Sequence, residues 1–330
     1  MPEQKTVFVC QETPCLSMGS DTVYEALQKE IIKQGLKNVR VEKSGCHGHG
    51  LCQQGPSIVI EPDGIFYIRV QADDAPDIVT SHLRHGKPVE RLLYVDPASS
   101  KAIPRYSEIN FYQKQQRVVL YNCGHINPEN IDDYINNRGY QALKKALLQM
   151  KPEEVIEEIK KSGLRGRGGA GFPTGRKWEF CRNSPGNIKY VICNADEGDP
   201  GAFMDRSILE ANPHAVVEGL ALAGYAIGAQ EGYIYVRAEY PLAIKRFRIA
   251  LEQANARGFL GNNILGSNFS FIIHIKEGAG AFVCGEETAL MASIEGKRGM
   301  PPPPPPNTPP NRVTGKTPKI KKLKKIGTHS

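Results

Sequence analysis

The sequence predicts an α/β protein made of a small N-terminal domain and a larger layered one. Three observations carry that expectation. Residues 1–95 read in the order β-α-β-β-β-α, residues 126–300 alternate helical and strand periodicities, and the polar, mixed stretch at 96–125 shows neither. A chain of 330 residues has the length of about two domains. Its 40% hydrophobic and 23% charged residues are those of an ordinary globular protein.

In the first domain Thr6-Val-Phe-Val-Cys10 is a short strand. Ser20 to Gly35 is helical, with Val23, Leu27, Ile31 and Ile32 on one face and Gly35 as the stop. Val39–Lys43 alternates as a strand does. Ser57–Ile60 and Gly64–Arg69 form a hairpin around Pro62-Asp63-Gly64, and Pro76–Leu83 closes the domain as a helix. This order is thioredoxin-like.

The segment 96–125 is expected as an extended connector. Beyond it, helices are predicted at 127–150, 152–161, 205–228, 241–257 and 286–295, with strands at 188–194, 232–238 and 269–276. The helix at 152–161 has the clearest ends: Pro152 at its start, Glu153 and Glu154 early, Lys160 and Lys161 late, Gly163 beyond. From Pro301 to Ser330 six successive prolines and a lysine cluster replace any core-forming pattern, predicting polyproline II followed by a basic tail.

The net charge of +7 belongs to that tail. Arg312 and six lysines lie there without an acid, and removing them from 42 basic residues leaves 35 against 35 acidic ones. A neutral body argues against nucleic acid as a partner. Met1-Pro-Glu-Gln-Lys5 lacks the apolar core of a signal peptide, and the run Gly219–Ala229 is too short to span a bilayer. The expectation is a cytoplasmic protein without a membrane span. Eight cysteines in such a setting point to metal or cluster ligation rather than to disulfides.

Four of them fall in the first domain, as Cys10-x4-Cys15 and Cys46-x5-Cys52. Each pair follows a predicted strand, so both sit on loops at one end of the small sheet. Thiolates converging from two loops suit a zinc ion or a [2Fe–2S] cluster, and the wide spacings favour iron–sulfur. His47 and His49 beside Cys46 are expected as solvent-exposed loop residues.

The second domain carries three glycine-rich segments. Gly163–Trp178 has six glycines in sixteen residues, with Arg165, Arg167, Arg176 and Lys177 among them. Gly166, Gly168 and Gly171 satisfy G-x-G-x-x-G, yet a helix precedes the loop where a dinucleotide fold needs a strand. Bare amides with fixed cations still make an anion site. Phe172, Trp178 and Phe180 offer aromatic surface to a flat ring. Next, the strand ending in Val191-Ile-Cys-Asn194 runs into Asp196, Glu197 and Asp199 at its carboxyl end, where α/β sheets place ligands. Asn194 and Asp196 can bond ribityl or ribose hydroxyls. Finally, Gly278–Leu290 turns into a helix at Gly285 with Glu286 and Glu287 in its first turn, and Cys193 and Cys284 are expected as packed thiols. No Ser/His/Asp triad or H-E-x-x-H motif supports hydrolysis.

Taken together, Gly163–Trp178, Asn194–Phe203 and Gly278–Thr288 resemble the NADH-binding flavoprotein subunit family, the 51-kDa subunit of respiratory complex I and its relatives, over residues 120–300. The first domain resembles the thioredoxin-like [2Fe–2S] ferredoxin domain. Their fusion is similar to the flavoprotein subunits of soluble NAD(P)-linked hydrogenases and formate dehydrogenases. The resemblance implies a Rossmann-like FMN- and NADH-binding α/β domain at 126–300. Gly166, Arg167, Gly168, Gly169 and Lys177 would bind FMN phosphate and NADH, with Asn194, Asp196 and Glu197 on the flavin side. Phe172 and Phe180 would stack with the dinucleotide, and Gly285, Glu286 and Glu287 would line the cleft. Cys10, Cys15, Cys46 and Cys52 would ligate the [2Fe–2S] cluster, the second pair spaced more widely than in the family.

The implied chemistry is hydride exchange between NAD(H) and flavin N5, with no catalytic side chain and with Glu197 and Glu287 nearby. Single electrons would then pass to iron–sulfur subunits of a hydrogenase, formate dehydrogenase or similar complex. Residues 301–330 carry lysines where the family has an Asn-Asn-x-x-Thr segment, so the family's continuation is expected to be truncated there, before its [4Fe–4S] domain. That substitution leaves an alternative reading, an electron-transfer or scaffold subunit holding only the [2Fe–2S] cluster.

Overall fold

The computed structural model describes residues 4–47, 50–199 and 201–300. The chain forms two compact units: Met1–Gly139 with Ser207–Ala215, and Tyr140–Arg206 with Val216–Ser330.

The first unit is built on a four-stranded sheet in the order β2-β1-β3-β4, where β1 is Lys5–Cys10, β2 Val39–Ser44, β3 Ile58–Glu61 and β4 Ile65–Tyr67. β1 runs parallel to β2, and its register from Lys5↔Val39 to Cys10↔Ser44 ends both strands at the same edge. β3 and β4 follow antiparallel. One face is covered by the helix Ser20–Lys33, whose Val23, Leu27 and Ile31 join Val7, Val9, Ile58 and Ile60 in the core. That is the thioredoxin-like layering the pattern predicts. The closing helix differs in winding, with one α-turn at Ala75–Asp77 continued as a π-helix through Ile78–Arg84.

Residues 96–125 do not run as an extended connector. The short strand β5, Tyr94–Val95, pairs with β6, Ala102–Ile103, and the segment returns to the other face of the sheet. There Tyr94, Ile109 and Tyr112 bury Val59, Phe66 and Ile68, with Leu51, Ile103 and Tyr106 packed at the margin.

The second unit has three parallel strands in sequence order, β7 Tyr190–Ala195, β8 Glu231–Arg237 and β9 Ile272–Gly278, alternating with helices. Two predicted helices are each divided. The stretch 127–150 is Ile131–Asn136 and Gln141–Gln149, because Tyr140 adopts the left-handed conformation at φ 59° and donates its amide to Glu218 instead. The stretch 205–228 is Met204–Ala211 and Pro213–Ile227, since Pro213 has no amide to continue a helix. Among the described residues no helix is long and apolar enough to cross a membrane.

Candidate functional site

The shared edge of β1 and β2 sets the cysteine centre. Cys10 is the last residue of β1, and Cys46 lies two residues beyond the end of β2. Cys15 sits on the short helix Thr13–Ser17 and Cys52 opens a helical turn, Cys52–Gln54. All four are free thiols, three of them buried. They touch in a chain of hydrogen bonds that links Cys15 to Cys10, Cys10 to Cys46, and Cys46 to Cys52. The more widely spaced second pair is therefore brought together.

Each buried thiol is held above its ordinary value. For Cys15 the bond to Cys10 is the main cause, followed by burial. For Cys10 the bond to Cys15 favours the thiolate but is outweighed by Cys46 and by burial. For Cys46 the bond to Cys10 acts likewise and is outweighed by Cys52, burial and Glu12. Four thiols in contact at one edge of the sheet suit ligation by a cation, whose charge offsets the repulsion among their thiolate forms. Among the described residues no three His, Cys, Asp or Glu side chains close around one ion. Two pairs strung side by side fit a cluster with two irons better than a single zinc.

Around this centre the structure departs from expectation at His47. It is buried, not solvent-exposed, and bonds Ser44 Oγ at 3.0 Å. Arg117 donates to the His47 carbonyl at 2.8 Å and lies over the rings of Tyr106 and Tyr112. His49 falls outside the described residues. The pattern at 96–125 gave no sign of this roof, because its aromatic residues follow no strand or helix period.

In the second unit the glycine loop is pinned at its neck and open at its tip. Gly166 donates to the Phe172 carbonyl and Thr174 to that of Leu164, both at 2.9 Å. Between them lie Arg167, Gly168 and Gly169, exposed, with φ +102° at Gly169 and free space where glycine side chains would stand. That is an open cradle of exposed amides, in which the positive φ at Gly169 favours glycine. The loop then enters a helix at Thr174–Asn183, which the sequence pattern missed. It forms because Gly175 lets it approach the helix Pro152–Lys161; a Cβ there would stand 2.7 Å from the Lys160 backbone. Phe172 and Phe180 stay half-exposed with ring centroids 6.4 Å apart, while Trp178 joins the core with Val155 and Ile156.

The acidic segments divide by what each carboxylate touches. Asn194 donates to the Gly285 carbonyl at 2.9 Å and so ties the end of β7 to the turn before the helix Glu287–Ile294. Glu197 accepts the amides of Asp205 and Arg206 at 3.0 and 3.1 Å, capping the helix Met204–Ala211. Glu286 caps the helix Glu287–Ile294 through the amides of Thr288 and Ala289, both at 2.9 Å. Burial would raise its carboxyl, but the Thr288 hydroxyl and these amides hold it below the ordinary range. Glu287 pairs with Lys177 at 3.0 Å.

Asp196 differs from all of these. It is buried, neither carboxylate oxygen has a hydrogen-bond partner, and burial raises its pKa. A Cβ at Gly285 would lie 3.4 Å from its carbonyl and 3.7 Å from Oδ2, so the bare backbone at 285 leaves room beside it. An orphaned acceptor beside the bare backbone at Gly285 fits a ligand rich in hydroxyl and N–H donors, as the ribityl chain and ring of FMN are. Sequence reasoning missed Arg237 and Tyr240. Arg237 donates to the Glu197 carbonyl at 2.6 Å, and Tyr240 reaches the Glu197 carboxylate at 3.3 Å. Cys284 is packed as expected, and burial pushes the Cys193 thiol up to about 12.

Comparison with known proteins matches residues 2–82 to the thioredoxin-like [2Fe–2S] ferredoxin and residues 159–313 to the Nuo51 FMN-binding domain. The NADP-reducing hydrogenase subunit HndC of Solidesulfovibrio fructosivorans is 60% identical over 189 residues, covering 57% of this chain and 38% of that one. An NADH-quinone oxidoreductase subunit of Aquifex aeolicus is 52% identical over 204 residues, covering 62% of this chain and 46% of its own. The chain spans less than half the length of either relative. A solved NAD+-reducing [NiFe]-hydrogenase in the H2-reduced state is 27% identical, with a TM-score of 0.49, over 93% of this chain and 48% of that one.

Proposed function

For a chain that joins a thioredoxin-like [2Fe–2S] ferredoxin domain to a Nuo51 FMN-binding domain, we propose the role of an electron-input oxidoreductase subunit. It takes electrons from NAD(H) at FMN and delivers them singly to iron–sulfur centres of a larger redox complex. FMN, when bound, supplies the exchange between a pair of electrons and single ones. Every other part of the work falls to side chains and amides of this chain.

The observation that carries the reading is Asp196, a buried carboxylate with no hydrogen-bond partner, just beyond the end of β7 and beside the Gly285 turn. In this role Asp196 accepts from the flavin's ribityl or ring donors, and Asn194 keeps the turn at Gly285 in place. Gly166, Gly168 and Gly169 present amides to the phosphate, with Arg167 and Lys177 as counter-charges. Phe172 and Phe180 supply flat apolar surface for the dinucleotide. Glu197, Glu286 and Gly285 hold the walls of the cleft. In the first unit Cys10, Cys15, Cys46 and Cys52 hold the [2Fe–2S] cluster. The proposed partners are further iron–sulfur subunits of a hydrogenase- or complex I-type assembly, and the proposed location is the cytoplasm.

Reconstitution of the chain with FMN, iron and sulfide tests this. Flavin absorbance should appear and bleach on addition of NADH. A chain that takes up a cluster but no flavin would replace the proposal with that of a one-electron carrier.

A further inference from the structure

Glu12 stands within the cysteine centre. The loop from Cys10 to Cys15 places its three polar side chains in defined contacts: Gln11 donates to Ser20, the Thr13 amide and hydroxyl donate to Glu210, and Glu12 accepts the amide of Cys46 at 2.9 Å. Glu12 is 5% exposed. It stands two residues from Cys10 and three from Cys15, and its bond to the Cys46 amide brings it to the second pair as well. Burying a carboxylate is costly in itself, and this one opposes the thiolates that any metal requires.

Reduction changes the balance. A [2Fe–2S] centre on four thiolates is already anionic and gains one further negative charge with each electron it accepts. A carboxylate fixed nearby in a poorly solvated loop repels that added charge. By taking the Cys46 amide, Glu12 also keeps that donor from the cluster's sulfur atoms, and donors to sulfur raise cluster potentials. We propose that Glu12 is a positioning residue that holds the reduction potential of the [2Fe–2S] centre low, by its charge and by its hold on the Cys46 amide. The inference rests on the ligand reading of the four cysteines given above.

The test is an anaerobic redox titration of the reconstituted full chain, followed by the paramagnetic resonance of the reduced cluster. Dithionite supplies the one electron the centre takes up. Glu12→Gln keeps an acceptor for Cys46 and removes the charge; it should move the one-electron equilibrium at least tenfold toward the reduced form, about 59 mV upward. Glu12→Ala, which also frees the amide, should move it further in the same direction, and Glu12→Asp should stay within a factor of two of the parent. A Glu12→Gln equilibrium within a factor of two of the parent overturns the proposal. So does loss of the cluster in both neutral variants with retention in Glu12→Asp, which would assign Glu12 to cluster retention. Absence of a [2Fe–2S] signal in the parent chain would instead remove the ligand reading, a separate result.

Discussion

Lys177 and Glu287 form an ion pair of 3.0 Å between residues 110 positions apart, one on the helix that follows the glycine loop and one on the helix that follows the Gly285 turn. Both side chains are more than 60% exposed, so the pair contributes at most about 1 kcal/mol to stability. We propose that its significance is competition, an anionic ligand in the cradle and Glu287 claiming the same ammonium group. Lys177→Gln should weaken FMN binding about tenfold, in line with the loss of one charge-assisted contact, with little change in melting temperature. Glu287→Gln should leave FMN binding unchanged or tighten it. Fluorescence titration of the flavin-free chain measures both, and equal weakening by the two variants would contradict the competition.

Asp196 should reveal itself without any ligand. Its folded pKa lies above the ordinary value of 3.8 because burial disfavours the charged form. A raised folded pKa gives stability that is present at low pH and is lost as pH rises through the folded value. Asp196→Asn removes that loss. The flavin-free variant should therefore melt higher than the parent at pH 8, with the gap closing toward pH 4, and should bind FMN more weakly. A lower melting temperature at pH 8 would show that the carboxylate has a structural partner.

A buried chain of polar groups locks the first unit. Val89 donates to the Tyr67 hydroxyl, which bonds His82 Nδ1 at 2.8 Å, and His82 Nε2 bonds Asp63 at 2.9 Å; Lys5 closes on the same carboxylate. Burial holds the His82 pKa below 6.5 despite the Asp63 contact. For Asp63, burial is outweighed by Lys5 and His82, and its carboxyl sits below 3.8. Both folded values are depressed, so both contributions are present at neutral pH. That of His82 is lost as pH falls below 6.5, and that of Asp63 only in stronger acid. His82→Ala should cost about 1–3 kcal/mol at pH 7.5, the scale of stranding buried partners. Urea denaturation of the two chains at pH 7.5 and 5.5 should show a smaller difference at the lower pH.

Gly175 sets the distance between two helices. Alanine there would place a methyl group 2.7 Å from the Lys160 backbone. Since backbone cannot swing aside, Gly175→Ala should destabilise the second unit by about 1–3 kcal/mol and disturb the cradle through the shifted helix. Unchanged melting temperature together with unchanged flavin affinity would contradict this account.

Periodicity made most of the fold legible. The strand at Val39–Lys43 alternates, the helix face of Val23, Leu27 and Ile31 repeats, and the parallel strands of the second unit are apolar runs between helices. The four cysteines were legible because each pair follows a strand. The helix Thr174–Asn183 was not, having four polar or glycine residues in its first turn and forming by contact with its neighbour. Nor could composition separate the acids. Asp196, Glu197 and Glu286 look alike in the sequence, and only their surroundings distinguish two helix caps from one carboxylate left without a partner.

The roof over the cysteine centre has a consequence for the order of assembly. Cys10 to Cys52 precede Tyr106, Tyr112 and Arg117 in the chain by more than 50 residues, so a ribosome releases the thiols well before the residues that cover them. In the finished protein Cys10, Cys15 and Cys46 are buried, whereas a nascent chain carries them before the later segment that packs over the sheet has been made.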